Sequence, residues 1–186
     1  LSDPSKVCVV QHAPAVSVSL AEEFNVKPGK DVDGQMVAAL RRVGFAKVFD
    51  TQFTADLTIM EEGSELIQRL TKGGRLPMIT SCSPGWINFI EAFYPSLLPH
   101  LSTCKSPQQM FGALAKSWYA KQAGIAPASL RVASIMPCTA KKGEAGRPEM
   151  RSAWEYWRKD GADGVAPYQD VHWALTTREL ARMIVR

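Results

Sequence analysis

The sequence has no apolar run near the roughly 18–20 residues that a membrane-spanning helix needs, so no span is expected. No block of Lys and Arg is dense enough for a nucleic-acid-binding arm, and nucleic acid is not an expected partner. The start, Leu1-Ser2-Asp3-Pro4, has no charged region followed by an apolar stretch. No signal peptide is therefore read, and a cytoplasmic, reducing compartment is expected. The first residue is not Met, so the chain is expected to be a processed product or an excerpt. None of the four cysteines, Cys8, Cys82, Cys104 and Cys138, forms a C-x-x-C pair. That argues against a zinc ribbon or a thioredoxin-type motif. Ferredoxin-type cysteine runs, internal repeats and low-complexity stretches are also missing.

What remains is the composition of a globular protein. Of 186 residues, 46% are hydrophobic and 22% charged, enough for one cored domain or two small interlocked lobes. The formal net charge of +4 favours an acidic partner, such as a small electron carrier, only mildly.

The β-branched run Lys6–Val10 reads as a buried strand. Helical spacing follows over Val16–Phe24, broken by Pro28-Gly29. Asp33 is placed to cap a helix with Met36, Val37 and Leu40 on its apolar face. Lys47–Asp50 reads as a second strand, and Leu57–Leu70 as a helix led in by Thr54 or Asp56. Pro77–Thr80 reads as a third strand, Trp86–Phe93 as a helix, and Pro107–Ala123 as a longer helix with Met110, Leu114 and Trp118 in register. Leu130–Met136 is the fourth strand, Ala145–Asp163 a polar insertion with helical character, and Trp173–Leu175 a weak strand. Thr176 and Glu179 form a capping-box pattern that opens the last helix. Alternating strands and helices predict an α/β fold with a parallel or mixed twisted sheet and flanking helices. Ligands then bind beyond the carboxyl ends of the strands.

Three motifs carry chemistry. Thr80-Ser81-Cys82-Ser83-Pro84-Gly85-Trp86 sets a thiol on a tight loop between two hydroxyls. Met136-Pro137-Cys138-Thr139-Ala140-Lys141-Lys142-Gly143-Glu144 sets a second thiol after a strand, with a lysine three residues on that suits anionic ligands. Glu62 and Glu65 share a helix face and could pass protons if one is partly buried. Taken singly, each has an ordinary explanation: a turn with an incidental thiol, a solvated loop, two exposed carboxylates. Cys8, in the first strand, reads as a buried core thiol.

Taken together they are more specific. Ala13-Pro14-Ala15-Val16, the run Thr54–Gly63, the Cys82 loop, Cys104-Lys105-Ser106-Pro107-Gln108-Gln109-Met110, the Cys138 loop and Leu175-Thr176-Thr177-Arg178-Glu179-Leu180 occur in order. From about Lys6 to its end the chain resembles the H-cluster domain of iron-only ([FeFe]) hydrogenases, in the flavour of NAD(P)-linked multimeric enzymes. The resemblance implies reversible H2 oxidation and proton reduction. The cofactor implied is the H-cluster, a 4Fe-4S cluster joined to a dinuclear iron unit with CO, cyanide and a dithiolate bridge. By motif, Cys82 matches the thiol that exchanges a proton with the bridge, and Glu65, Ser102 and Glu62 match the proton path. Cys138 matches a cluster ligand. Lys141, Ala13 and Pro14 match groups that hold cyanide and the bridge, and Gln108 and Met136 match residues packed around the two irons. Ferredoxin or NAD(P)-linked electron-transfer subunits are the implied partners.

The chain departs from the family pattern twice. Ser83 stands where many members carry a second cysteine, leaving open whether Cys82 relays protons, Cys82 ligates iron, or Ser83 supplies an oxygen ligand. No cysteine follows Cys138, although the family's third motif supplies two. A cluster held by cysteines alone needs four thiolates. The expectation is thus the front two-thirds of a catalytic domain, residues 1–186, that cannot hold a complete H-cluster by itself. The missing part would come from a further C-terminal segment or a second chain. The competing readings are an iron–sulfur assembly or sensory protein without H2 turnover, and a metal-free α/β interaction module.

Overall fold

A computed structural model describes residues 1–159 and 165–185. Four parallel strands form one sheet in the order β2-β1-β3-β4. They are β1 (Val7–His12), β2 (Lys47–Asp50), β3 (Leu130–Ile135) and β4 (Trp173–Leu175). The central pair, β1 and β3, is covered on both faces, as parallel sheets require. Side chains alternate accordingly. Cys8, Val10, Ala133 and Ile135 enter a core with Val16, Leu20, Met36, Leu40 and Leu180. Val9, Leu130 and Val132 enter a second core with Phe111, Ala115 and Ala145.

The helices are α1 (Pro14–Ser19), α2 (Asp33–Val43), α3 (Gln52–Lys72), α4 (Pro84–Phe93), α5 (Pro107–Leu114), α6 (Ala120–Gln122), α7 (Ala140–Gly146), α8 (Ser152–Lys159) and α9 (Thr177–Val185). Pro14 at the first turn suits α1, since its missing N–H would have no partner there. Gly44, at φ +117°, ends α2 in a conformation that L side chains rarely adopt. The Thr176–Glu179 box forms as read, with Thr176 N donating to Glu179 Oε2 at 2.8 Å and Glu179 N to Thr176 Oγ1 at 3.3 Å.

Four sequence expectations are corrected. Pro77–Thr80 is not a strand of the sheet: only an isolated bridge joins Ile79 to Leu101. Its backbone pairs locally instead, Ile79 N donating to His100 O at 2.8 Å and Ser102 N to Ile79 O at 2.7 Å. Helix α3 starts at Gln52, before Leu57, because the Asp50 carboxylate accepts the Gln52 N–H at 2.8 Å. Asp33 does not cap α2. It lies inside the first turn, where its own N–H is taken by Asp31 Oδ1 at 2.9 Å. The helix expected over Pro107–Ala123 is present through Gln122, but a π turn inside it, Ala115–Tyr119, changes which residues face inward. Its buried side chains are Gln108, Gln109, Phe111, Gly112, Ala115 and Lys116, while Trp118 is 64% exposed. The insertion read over Ala145–Asp163 includes the end of α7 and all of α8, and its last positions lie outside the described residues.

Candidate functional site

Because all four strands are parallel, their carboxyl ends share one edge of the sheet. Ala13, the half-buried residue after β1, donates its N–H to Ile135 O at 3.0 Å, next to the buried Met136. Beneath these loops runs a buried polar chain. Thr51 Oγ1 donates to Gln11 Oε1 (2.9 Å), Gln11 Nε2 to Gln108 O (2.9 Å), and Ser134 Oγ to Gln108 Oε1 (2.6 Å). Gln108 Nε2 in turn donates to Lys141 O (3.2 Å) and Glu144 Oε2 (3.0 Å). Such a network, fully paired, fixes side-chain positions in a core where unpaired groups are costly.

Lys141 joins the two thiol loops. Its Nζ donates to the Cys82 carbonyl at 2.8 Å and pairs with Glu144 Oε2 at 3.0 Å. Its own N–H reaches Cys138 O at 3.3 Å. The Cys82 loop therefore meets the β3 exit loop without leaving a strand of the sheet itself. Instead it leads into α4, with the buried Pro84 in the first turn and the exposed Ser83 as a cap whose side chain accepts no hydrogen bond. Cys82 is exposed, Cys104 and Cys138 are half-buried, and Cys8 belongs to the core.

A second cluster lies along α3. Glu65 Oε2 accepts from Ser102 Oγ (2.9 Å), Thr103 N (3.0 Å), Thr103 Oγ1 (3.1 Å) and Cys104 Sγ (3.8 Å). Glu65 Oε1 is gripped by Arg69 Nη2 at 2.6 Å and Nε at 3.0 Å. Burial pushes the Glu65 carboxyl up, but the Thr103 N–H, Arg69 and the Ser102 and Thr103 hydroxyls together hold it below the usual carboxylate value. Burial also pushes the Cys104 thiol up, and the carboxylates of Glu65, Glu62 and Glu61 add to this against the Ser102 hydrogen bond. Cys104 therefore stays a thiol that donates to an ionised Glu65. Ser81 Oγ closes the cluster toward Cys82 by donating to Cys104 O at 2.7 Å. Glu62 stands apart, its Oε1 buried without a partner.

Of the residues singled out in the sequence, the structure links Cys82, Cys138, Lys141 and Gln108 at one point and Glu65 and Ser102 at another. Pro14 is exposed at the start of α1, beside Ala13. Ser83 and Glu62 join neither set through a side-chain hydrogen bond. In the sequence Glu144 and Cys104 stand inside motifs without an assigned role, and Arg69 and Thr103 were passed over. Arg69 lies four residues after Glu65, a helical neighbour, which was a usable signal. The burial of Glu144 had none. A cavity of about 240 Å³ opens between the clusters, lined by Ser81, Pro84, Cys104, Lys105, Glu144 and Arg147 among others. Among the described residues, no three His, Cys, Asp or Glu side chains are grouped to hold a metal ion. The thiols present fit one side of an iron–sulfur group and do not complete its ligand set.

Comparison with known proteins bears on both clusters. Residues 6–186 match the model of the iron only hydrogenase large subunit, C-terminal domain. The NADP-reducing hydrogenase subunit HndD of Solidesulfovibrio fructosivorans is 50% identical over all of this chain, which covers 31% of that protein. Iron hydrogenase 1 of Clostridium pasteurianum is 46% identical over 99% of the chain and 30% of its own length. Cytosolic iron-sulfur assembly component 3 of Bos taurus is 34% identical over 98% of the chain, which covers 37% of it. A solved structure of apo [FeFe]-hydrogenase HydA1 from Chlamydomonas reinhardtii superposes with a TM-score of 0.87 at 45% identity, over 99% of this chain and 44% of that one. The chain spans about a third of the length of these curated relatives. With the α/β fold, the two thiol loops and the Glu65 cluster in place, the chain belongs to the iron-only hydrogenase large subunit family, as part of its C-terminal domain.

Proposed function

We propose that in the natural protein this chain forms one wall of a hydrogenase site that oxidises H2 and reduces protons. The observation that carries the reading is the pair of linked clusters: Lys141 tying the Cys82 loop to the Cys138 loop, and Ser102 donating to Glu65. The H-cluster, when bound, supplies the hydrogen activation and the electron exchange. The chain's own residues hold and move protons around it. Cys82 is the thiol that takes up and gives back the proton at the cofactor side. Ser102 relays between donors and acceptors through one hydroxyl. Glu62, with a buried unpartnered oxygen, is the open acceptor. Glu65, clamped as an anion, orients Ser102 and ends the path.

Cys138 is the cluster thiolate, with Ser83 left as an exposed hydroxyl next to Cys82 in the chain. Lys141 presents positive charge to anionic ligands, with Glu144 fixing its amine. Ala13, Pro14, Gln108 and Met136 shape the wall around the cofactor. The chain is the front part of the catalytic domain. Supporting this, α3 turns Phe53, Ile59, Met60, Ile67 and Leu70 outward, and α4 exposes Phe93. Apolar faces of this kind mark surfaces that another segment covers. Electron partners are ferredoxin or NAD(P)-linked subunits. Among the described residues no helix is long and apolar enough to cross a membrane, and a cytoplasmic location is our reading.

The test is anaerobic maturation of the natural protein, read by H2 turnover and by infrared bands of bound CO and cyanide. Expected are both signals in the wild type. Ser102→Ala should keep the bands and lose at least about a hundredfold in turnover, the low end for removing a proton-transfer group. Absence of the bands overturns the reading in favour of assembly or sensing. Full turnover by the isolated 186-residue chain overturns the proposed incompleteness.

A further inference from the structure

The π turn at Ala115–Tyr119 carries Lys116, whose side chain is fully buried. Irregular turns of this kind often mark functional positions. Among the described residues three groups meet its amine: Gln169 O accepts from Nζ, the Tyr168 ring centroid lies 4.4 Å away, and His172 Nε2 lies at 3.2 Å. The Lys116 carbonyl accepts from Trp157 Nε1 at 2.8 Å, which ties the turn to α8.

The protonation of this cluster follows from hydrogen-bond geometry. Val132 N–H points at His172 Nδ1 at 3.1 Å, and a backbone N–H always donates. Nδ1 therefore carries a lone pair, and in a neutral imidazole the proton sits on Nε2. That Nε2–H faces Lys116 Nζ, so the amine must accept. An ammonium has no lone pair, whereas a neutral amine has one, together with two hydrogens for Gln169 O and the Tyr168 ring face.

The charged neighbours agree. The Asp170 carboxylate, fully buried, is engaged by Ser152 N and Ala153 N at 2.9 Å each and by Lys105 Nζ at 3.2 Å, with no hydrogen bond to Lys116. Arg131, on β3, adds positive charge. Burial pulls Lys116 down to about 7, Asp170 opposing and Arg131 assisting. Burial, then Lys116 and Arg131, pull His172 down to about 3, so it stays neutral. Burial pushes Tyr168 up to about 12, so it offers no anion.

We propose that Lys116 is stored as a neutral amine and acts as a proton-gated latch on segment 168–172. A protonated Lys116 has three donors and confronts Nε2–H. Relief requires the imidazole proton to move to Nδ1, which then confronts Val132 N–H. Either the bond to Lys116 or the bond to Val132 is lost. The latched segment matters beyond itself. Asp170 holds the first turn of α8 and Lys105, and Lys105 sits between Cys104, in the Glu65 cluster, and Ser106, the cap of α5 that carries Gln108. Loosening it removes a support shared by both clusters of the candidate site.

Hydrogen–deuterium exchange of the natural protein between pH 5.5 and 9 tests this, with rates corrected for intrinsic pH dependence. The open form binds the lysine proton with its ordinary affinity, so opening of segment 168–172 should rise about tenfold per pH unit on descending to 7, then level off below it. Lys116→Met should abolish that dependence. Wild-type exchange without the break near 7, or the same profile in Lys116→Met, overturns the latch. Should the variant fail to fold, 13C-labelled lysine in the wild type decides. One side-chain Cε signal titrating near 7 is expected, and every lysine titrating near 10 overturns the proposal.

Discussion

Replacing Glu144 by Gln removes one charge and leaves the shape of the site intact, which makes its cost calculable. Glu144 and Lys141 have side chains only 6% and 12% exposed, with their charged atoms 3.0 Å apart. Gln108 Nε2 completes the carboxylate's partners, and Cys82 O shares the ammonium. Removing one member of a buried pair typically costs about 3–5 kcal/mol, because the other charge is left uncompensated. The amide oxygen of Gln still accepts from Lys141, so Glu144→Gln should fall at or just below that range, about 2–3 kcal/mol. Lys141→Met strands a carboxylate with one amide donor, so about 3–5 kcal/mol is expected. The double variant leaves no stranded charge and should cost about 1 kcal/mol, giving a coupling of at least ~4 kcal/mol. Urea unfolding of the natural protein reads these values, with hydrogen exchange of α7 assigning the transition to this segment. Turnover is not the readout, since both residues border the site. Additive single-variant losses, or losses under ~0.5 kcal/mol for both, would refute the claim that the pair is buried and mutually dependent.

Gly112→Ala should lower the thermal midpoint by an amount equivalent to about 1–3 kcal/mol, because its new methyl would sit 2.7 Å from Val171 Cγ2 and 2.8 Å from the Asp170 carbonyl. Glu65, held below its ordinary value, contributes stability that is present above about pH 4.5 and lost as pH falls through its lower folded value. Glu65→Gln should remove that share of the acid sensitivity in urea midpoints measured between pH 3 and 6. Glu179, pulled down to about 2 by Lys142 first and the Thr176 N–H second, stabilises above about 4.5, with loss as pH falls toward 2. Its side chain is 37% exposed, so Glu179→Gln should cost only about 0.5–1 kcal/mol by thermal unfolding.

The parts of the molecule that obey one-dimensional rules were legible in the chain. β1 is a β-branched run and β3 a mostly apolar one because both their faces are covered, and the α9 box is a contact between residues three apart. The parts that were not legible share a physical cause. On α3, the inward stripe is Thr54, Thr58, Glu62, Glu65 and Arg69, and the outward one is Ile59, Met60, Ile67 and Leu70. Hydrophobic periodicity locates a helix there but points its apolar side toward a core, whereas the described residues meet the polar side. The same inversion occurs over 107–119, where Gln108, Gln109 and Lys116 are buried and Trp118 is exposed. A core helix pays nothing to turn leucines inward, so a helix that turns glutamines, glutamates and a lysine inward must find partners for each. Gln108, Glu65 and Lys116 find theirs in Ser134, Lys141, Ser102, Arg69 and His172, all at least four residues away in sequence and most on other elements, whereas Glu62 Oε1 and the Gln109 amide have none among the described residues. Polar burial of this cost is kept where it positions chemistry. The two inverted helices are the ones that carry the candidate proton path and the support beneath the thiol loops, so the failures of periodicity locate the site more sharply than its successes do.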